Sequence, residues 1–140
     1  TLVVSIQLRK PLGAIGPNSQ VLGIADEQGV IFSLNQTNHM PHLISANPPQ
    51  LKQQVSPIEL QALKALGQMN SLFTIPLVGT LDHTTLTILV SPGVEVLIDV
   101  RSDQSTWYSS LQLILERSKI SPKLPARIDL RFTNPIISYN

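Results

Sequence analysis

Cysteine is absent from this 140-residue chain, which removes disulfide scaffolds, thiol nucleophiles and thiolate metal sites at once. Charge is scarce as well. Only 14% of residues are charged, against roughly 25% in an average soluble domain, so polarity rests mainly on Ser, Thr, Asn and Gln. Ten Lys plus Arg against nine Asp plus Glu leave a net charge of +1, too small and too dispersed for a nucleic-acid footprint or a polybasic membrane-surface role. No apolar run reaches the roughly 18 residues of a spanning helix, because Glu95, Asp99, Arg101 and Asp103 interrupt the most hydrophobic third. The glycines never cluster into a phosphate-binding loop.

What is present suits one folded domain. Hydrophobic residues make up 42%, enough for a core that buries roughly two-thirds of the unfolded chain's surface. Leu2, Val4, Ile6 and Leu8 alternate with Val3, Ser5, Gln7 and Arg9, a period of two that predicts a half-buried strand ended by Pro11. The chain thus opens inside an apolar alternation and reads as a piece cut from a longer protein. Gly16-Pro17-Asn18-Ser19 reads as a turn, and Val21–Ala25 and Val30–Phe32 flank Asp26-Glu27-Gln28-Gly29 as a hairpin. Residues 35–55, with Met40-Pro41 and Asn47-Pro48-Pro49, are expected to form a long surface loop.

Ser56-Pro57-Ile58-Glu59 predicts a helix start, with Ser56 as N-cap and Glu59 closing a capping box. Ile58, Ala62, Ala65, Leu66 and Met69 make its apolar stripe, and Glu59, Gln61, Lys64 and Gln68 its wet face. A strand edged by Pro76 is expected over residues 73–78. Two alternating runs around Ser91-Pro92-Gly93 form the best hairpin. A second helix is predicted from about Ser105, with Trp107, Leu111, Ile114 and Leu115 inward, and Ile128, Leu130 and Phe132 alternate in a strand before a last segment, Ile136 to Tyr139. The order predicts an α+β domain: a mixed, mostly antiparallel sheet, two helices packed against one face, and C-terminal edge strands.

Few residues offer chemistry. His39 and His42 are spaced as two ligands of a metal site but lack a third, since His83 is remote. Asp82-His83 with a serine can be drawn as a hydrolytic triad, yet no nucleophile-elbow signature accompanies it. Asp99, Arg101 and Asp103 read as a solvated face with a neutralising arginine sooner than a glycosidase-like carboxylate pair. The C-terminal segment is different in kind. Apolar side chains at a sheet edge need cover, either from this chain or from a strand of another protein.

Several motifs, in order, carry a resemblance. Thr1-Leu2-Val3-Val4-Ser5-Ile6-Gln7-Leu8-Arg9-Lys10-Pro11-Leu12, Asp26-Glu27-Gln28-Gly29-Val30-Ile31-Phe32, Pro41-His42-Leu43 and Ala126-Arg127-Ile128-Asp129-Leu130-Arg131-Phe132-Thr133-Asn134-Pro135 resemble successive segments of the FtsQ/DivIB family of bacterial cell-division proteins. Met40, the Ser91-Pro92-Gly93-Val94 turn and Pro135 depart from the family pattern. The resemblance implies that residues 1–12 close an otherwise missing POTRA module and that 13–140 are an FtsQ-type β domain. It implies a non-enzymatic, single-pass protein of the cytoplasmic membrane, this domain lying on the extracytoplasmic face at the septum, with no cofactor and with the membrane reached only through a missing N-terminal anchor. Its partners would be FtsB/FtsL-type coiled-coil division proteins and the septal peptidoglycan machinery, joined by strand addition. Carried over by position, Arg131 would pair with a partner acid, Phe132 would be the interfacial aromatic, Asn134 the polar position after it, and Ile136 and Ser138 part of the pairing strand. A small metal-dependent or hydrolytic enzyme using the histidines, and a generic POTRA-associated client-binding domain, are the alternatives.

Overall fold

The computed structural model describes residues 9–18, 20–34, 39–91, 93–121 and 123–139. Its elements in chain order are β1 (Pro11–Asn18), β2 (Val21–Asp26), β3 (Ile31–Ser33), β4 (His42–Ile44), α1 (Pro57–Asn70), β5 (Val78–Asp82), β6 (Thr85–Ser91), β7 (Val94–Asp99), α2 (Gln104–Ser118), β8 (Pro125–Asp129) and β9 (Ile136–Tyr139). Among the described residues the strands form one nine-stranded sheet in the order β3-β2-β1-β4-β5-β6-β7-β8-β9. Pairs β1/β4, β4/β5 and β7/β8 are parallel and the others antiparallel. The fold is α+β.

One row of partners shows how the layers meet. Ile15, Leu43, Gly79, Ile88, Val96, Ile128 and Ile137 lie side by side across the sheet, so their faces coincide. That face carries the core, shared with Leu63, Leu66 and Met69 of α1 and Trp107 and Leu111 of α2. Gly79 lies under α1: a Cβ there would lie 2.9 Å from Leu86 Cδ1 and 3.3 Å from Leu66 Cδ1. Any larger residue would force the Leu86 and Leu66 side chains to repack.

The α1 cap is as its sequence predicts. Ser56 accepts from the Glu59 N–H while the Glu59 carboxylate accepts from the Ser56 N–H. Glu59 does not simply face water, since its second oxygen takes the Ser45 hydroxyl at 2.7 Å and ties the helix start to the end of β4. The Asp26–Gly29 hairpin also forms. Asp26 accepts from the N–H groups of Gln28 and Val30 at 2.9 and 3.0 Å, and Gly29 adopts φ +84°, a conformation glycine reaches without a Cβ clash.

Other expectations need correction. Residues 1–8, with the predicted first strand, lie outside the described residues. Pro11 opens β1 instead of ending a strand, and Gly16-Pro17-Asn18 continue it instead of turning. The turn that follows is organised by the Asn18 side chain, which accepts from the N–H groups of Gln20 and Val21. Within the expected 35–55 loop, whose residues 35–38 are not described, His42–Ile44 form β4, parallel to both neighbours. The strand expected over 73–78 begins only at Val78. Turn bonds continue α1 to Phe73, Pro76 donates nothing, and Asn70 Oδ1 captures the Leu77 N–H at 2.7 Å. At α2, Asp103 is the N-cap and so does not belong to the charged strand face.

Candidate functional site: the open β9 edge

The sheet has two edges, and the chain treats them differently. At β3, the Ile31 N–H donates to Gln53 O at 2.9 Å and Ile31 O accepts from the Lys52 N–H at 2.8 Å. A bridge between Val30 and Gln54 and a Val55-to-Gly29 bond complete the cover. At β9 the sheet order simply ends. Among the described residues no main chain bonds its outer side. Its sequence, Ile136-Ile137-Ser138-Tyr139, holds neither charge nor proline, the residues that ordinarily protect an edge.

The register tells which backbone groups point outward. Leu130 N–H donates to Leu97 O at 2.8 Å, so Ile128 and Leu130 direct their main-chain groups toward β7, and by alternation Arg127 and Asp129 direct theirs toward β9. Asp129 faces Ile136 and Arg127 faces Ser138. The N–H groups of Ile136 and Ser138 therefore point inward to β8, while the N–H and C=O of Ile137 point out. Pro135, of the same parity as Ile137, removes a donor on the outward side.

Side chains follow the same alternation. Ile137 shares the helix face with Ile128, and Ile136 and Ser138 lie on the opposite, open face. Ile136 is 52% exposed and Tyr139 51%, and the Lys123 ammonium sits 5.4 Å from the centre of the Tyr139 ring.

Before β9 the chain makes a turn held by charge. Asp129, buried at 7% exposure, accepts from the Arg131 main-chain N–H and from its guanidinium Nε and Nη2 at 3.1, 2.9 and 2.6 Å. This closure ends β8 at Asp129, so the expected alternation through Phe132 breaks off early: Leu130 is buried and Phe132 is 56% exposed. The Arg131 guanidinium holds the Asp129 carboxyl below its ordinary value against the upward push of burial, and the carboxylate in turn raises Arg131. The guanidinium also lies 5.6 Å from the centre of the Phe132 ring. Arg131 is thus fixed in place with one edge of its fork bound to Asp129.

The motif occurs twice. Ile98-Asp99-Val100-Arg101 repeats as Ile128-Asp129-Leu130-Arg131 on the adjacent parallel strand, and Asp99 holds Arg101 by the same three bonds. Arg131 also lowers the Asp99 carboxyl, after the larger effect of Arg101. Beside this ladder a cavity of about 390 Å³ opens between the first turns of α2 and the β8–β9 connection, lined by Trp107, Leu130, Arg131, Phe132 and Pro135 among others.

Arg131, Phe132, Asn134, Ile136 and Ser138 thus fall on one turn and the strand it feeds, all exposed. Ile137 and Tyr139 belong to the apolar edge expected from the sequence; the anchoring role of Asp129 is not among the sequence expectations, and the repeated Ile-Asp-x-Arg is the available signal for it. The histidines are not brought together. His42 is in β4, its imidazole pushed down by burial, and His83 lies in the β5–β6 turn next to Asp82 at the end of β5, the two side chains 95% and 85% exposed and 3.6 Å apart. Among the described residues no three His, Asp or Glu side chains are grouped to hold a metal.

No protein-family model matches the chain, and no curated protein sequence matches it.

Proposed function

We propose that this chain is the extracytoplasmic part of a non-catalytic, membrane-anchored division scaffold of the FtsQ/DivIB kind. Its β9 edge takes a strand from an FtsB/FtsL-type coiled-coil protein and so recruits the septal peptidoglycan machinery. The observation that carries the reading is the contrast between the two edges: the chain covers β3 with its own main chain, whereas among the described residues none covers the uncharged, proline-free β9. The ordered motif series supports it. The fixed Arg131 fork and the exposed Phe132 sit where the incoming chain would arrive, offering a cation for a partner acid and an aromatic anchor for its apolar side chains.

Amide hydrogen exchange tests the proposal. The outward Ile137 N–H is expected to exchange freely in the isolated domain and to slow when the extracytoplasmic segment of such a partner is added. Partner binding with no slowing at Ile137 places the interface elsewhere. Equal slowing by unrelated extended apolar peptides favours a general client-binding domain.

A further inference from the structure

Two features at opposite ends of β9 fit each other only between two copies of the chain. At the start of the strand, Pro135 lines the cavity of about 390 Å³ beside α2, whose wall joins the apolar surfaces of Trp107, Phe132 and Pro135 to the hydroxyls of Thr106 and Ser110. The charged residues of that wall are one of each sign, Asp103 and Arg131. Both are engaged already, Asp103 as the α2 cap and Arg131 by Asp129. Such a cavity suits an uncharged ring with a polar tip. At the far end of the strand Tyr139 is a ring of that kind, 51% exposed. Within one copy the extended strand holds Pro135 and Tyr139 about 13 Å apart, at about 3.4 Å per residue. Between two antiparallel copies of β9 the ends meet.

We propose that β9 pairs antiparallel with β9 of a second copy about a two-fold axis at Ile137, each copy placing its Tyr139 ring in the other's cavity. The backbone is self-complementary there. The register irregularity near Tyr139 puts its extra residue on β8, so alternation along β9 is unbroken and Tyr139 points its N–H outward as Ile137 does. Each Ile137 N–H then donates to the other copy's Ile137 carbonyl, and each Tyr139 N–H to the other's Pro135 carbonyl. The donor that Pro135 lacks leaves unmatched only the Tyr139 carbonyl, at the strand end, where water reaches it. A charged residue at the centre of such a pairing would face its own like, and β9 carries none. The axis stands across the sheet, so both helix layers lie on one side, and Tyr139, on the face of Ile137, arrives beside the other copy's Pro135 at the cavity mouth. The contact is isologous. It occupies the edge that takes a partner strand, so self-pairing and strand addition exclude each other. The inference rests on the open β9 edge of the proposed reading and not on which partner uses it.

The chain has no cysteine, so introduced thiols report this pairing alone. In the two-fold register Ile136 faces Ser138 of the other copy with about 4.5 Å between Cα atoms, whereas like positions stand more than about 7 Å apart, beyond disulfide reach. Both side chains are exposed, and circular dichroism confirms that the variants fold. Mild oxidation of Ile136→Cys mixed with Ser138→Cys is expected to give the mixed disulfide at least about tenfold faster than either variant alone gives its own. Trp107 is the single tryptophan and lines the cavity, so its emission is expected to shift with concentration as the native chain associates. Tyr139→Ala withdraws both rings at once; it should weaken association in sedimentation equilibrium by about tenfold or more and abolish the emission shift. Three results overturn the proposal: no preference for the mixed disulfide, equal linking by one variant alone, or a Tyr139→Ala chain that associates and shifts as the native chain does. A chain that stays monomeric while a division partner slows Ile137 exchange overturns self-pairing and leaves the proposed function standing; self-pairing without that slowing does the reverse.

Discussion

Substituting proline at two adjacent positions of β9 separates the outward from the inward backbone. The Ile137 N–H points away from β8, so Ile137→Pro removes no ladder bond, and an edge strand tolerates proline on its solvent side. The folding cost is then lost packing of a half-buried side chain against Ile128, about 1 kcal/mol, or half the value of full burial. Ile136→Pro breaks the inward bond toward Asp129 and drives the ring at β8, costing about 2 kcal/mol or more. Partner binding reverses the order of specific effect. Ile137→Pro deletes the outward donor, leaves the partner's carbonyl unpaired and sets a ring in its path, a loss of about 2–3 kcal/mol, or roughly 30- to 150-fold in Kd. Urea unfolding gives the stabilities and calorimetric titration with the partner segment gives the affinities. A folded Ile137→Pro that binds at full strength refutes strand addition at β9. A larger stability loss in Ile137→Pro than in Ile136→Pro refutes the assignment of inward and outward groups.

Two further perturbations test the frame that holds this edge. Ser56→Ala removes one half of the capping box and is expected to cost about 1 kcal/mol, lowering Tm by about 4 °C in a thermal melt; an unchanged Tm means the cap contributes nothing. Asp26, Asp99 and Asp129 have carboxyls below the ordinary value of 3.8. Burial pushes Asp26 up but is outweighed by the Val30 N–H, Arg9 and the Gln28 N–H; the Arg101 and Arg131 guanidiniums lead at Asp99 and Asp129. Depressed carboxyls contribute stability fully above their unfolded pKa and lose it as pH falls through the folded value, so Tm should drop steeply below about pH 4. Burial holds His42 below 6.5, which adds a shallower decline beginning near that pH. Asp26→Asn is expected to flatten the acid limb, and an identical limb in the variant removes Asp26 as its cause.

The parts of this fold legible in the sequence are those whose determinants are local. The Ser56–Glu59 box, the β6–β7 hairpin and the Trp107–Leu111 stripe each need only neighbours within a turn or two, and each forms. What escaped reading is set by distant chain. Strand β4 has three residues and exists because β1 and β5 pair it from both sides; its own proline-flanked sequence signals a loop. Pro76 and Asn70 together delay β5, because a side-chain carbonyl from a helix end takes an N–H that the apolar alternation assigned to a ladder. Turn identity failed at Gly16-Pro17 for the same reason. Their composition says turn, but Gly16 pairs with Ile44 of β4 while Ile15 and Asn18 on either side pair with β2 across an irregularity, and the segment stays extended.

The candidate site was legible as a location and not as a mechanism. Alternation identified an apolar C-terminal strand but could not say which of two edges the chain would cover, since cover of β3 comes from residues about twenty positions away. Nor does alternation of side chains reveal direction of N–H groups, which is fixed by which neighbour the preceding strand bonds. That neighbour is β7, and its parallel pairing with β8 turns Ile137 outward. The consequence reaches the sequence again at Pro135. A residue without an N–H, placed on the outward parity one step before the strand, leaves only its carbonyl there, so the first outward donor is that of Ile137. A strand added to this edge, as proposed, would have one main-chain donor fewer to meet, so side chains would have to supply part of its hold, the part that Arg131, anchored by Asp129, and the exposed Phe132 are positioned to play.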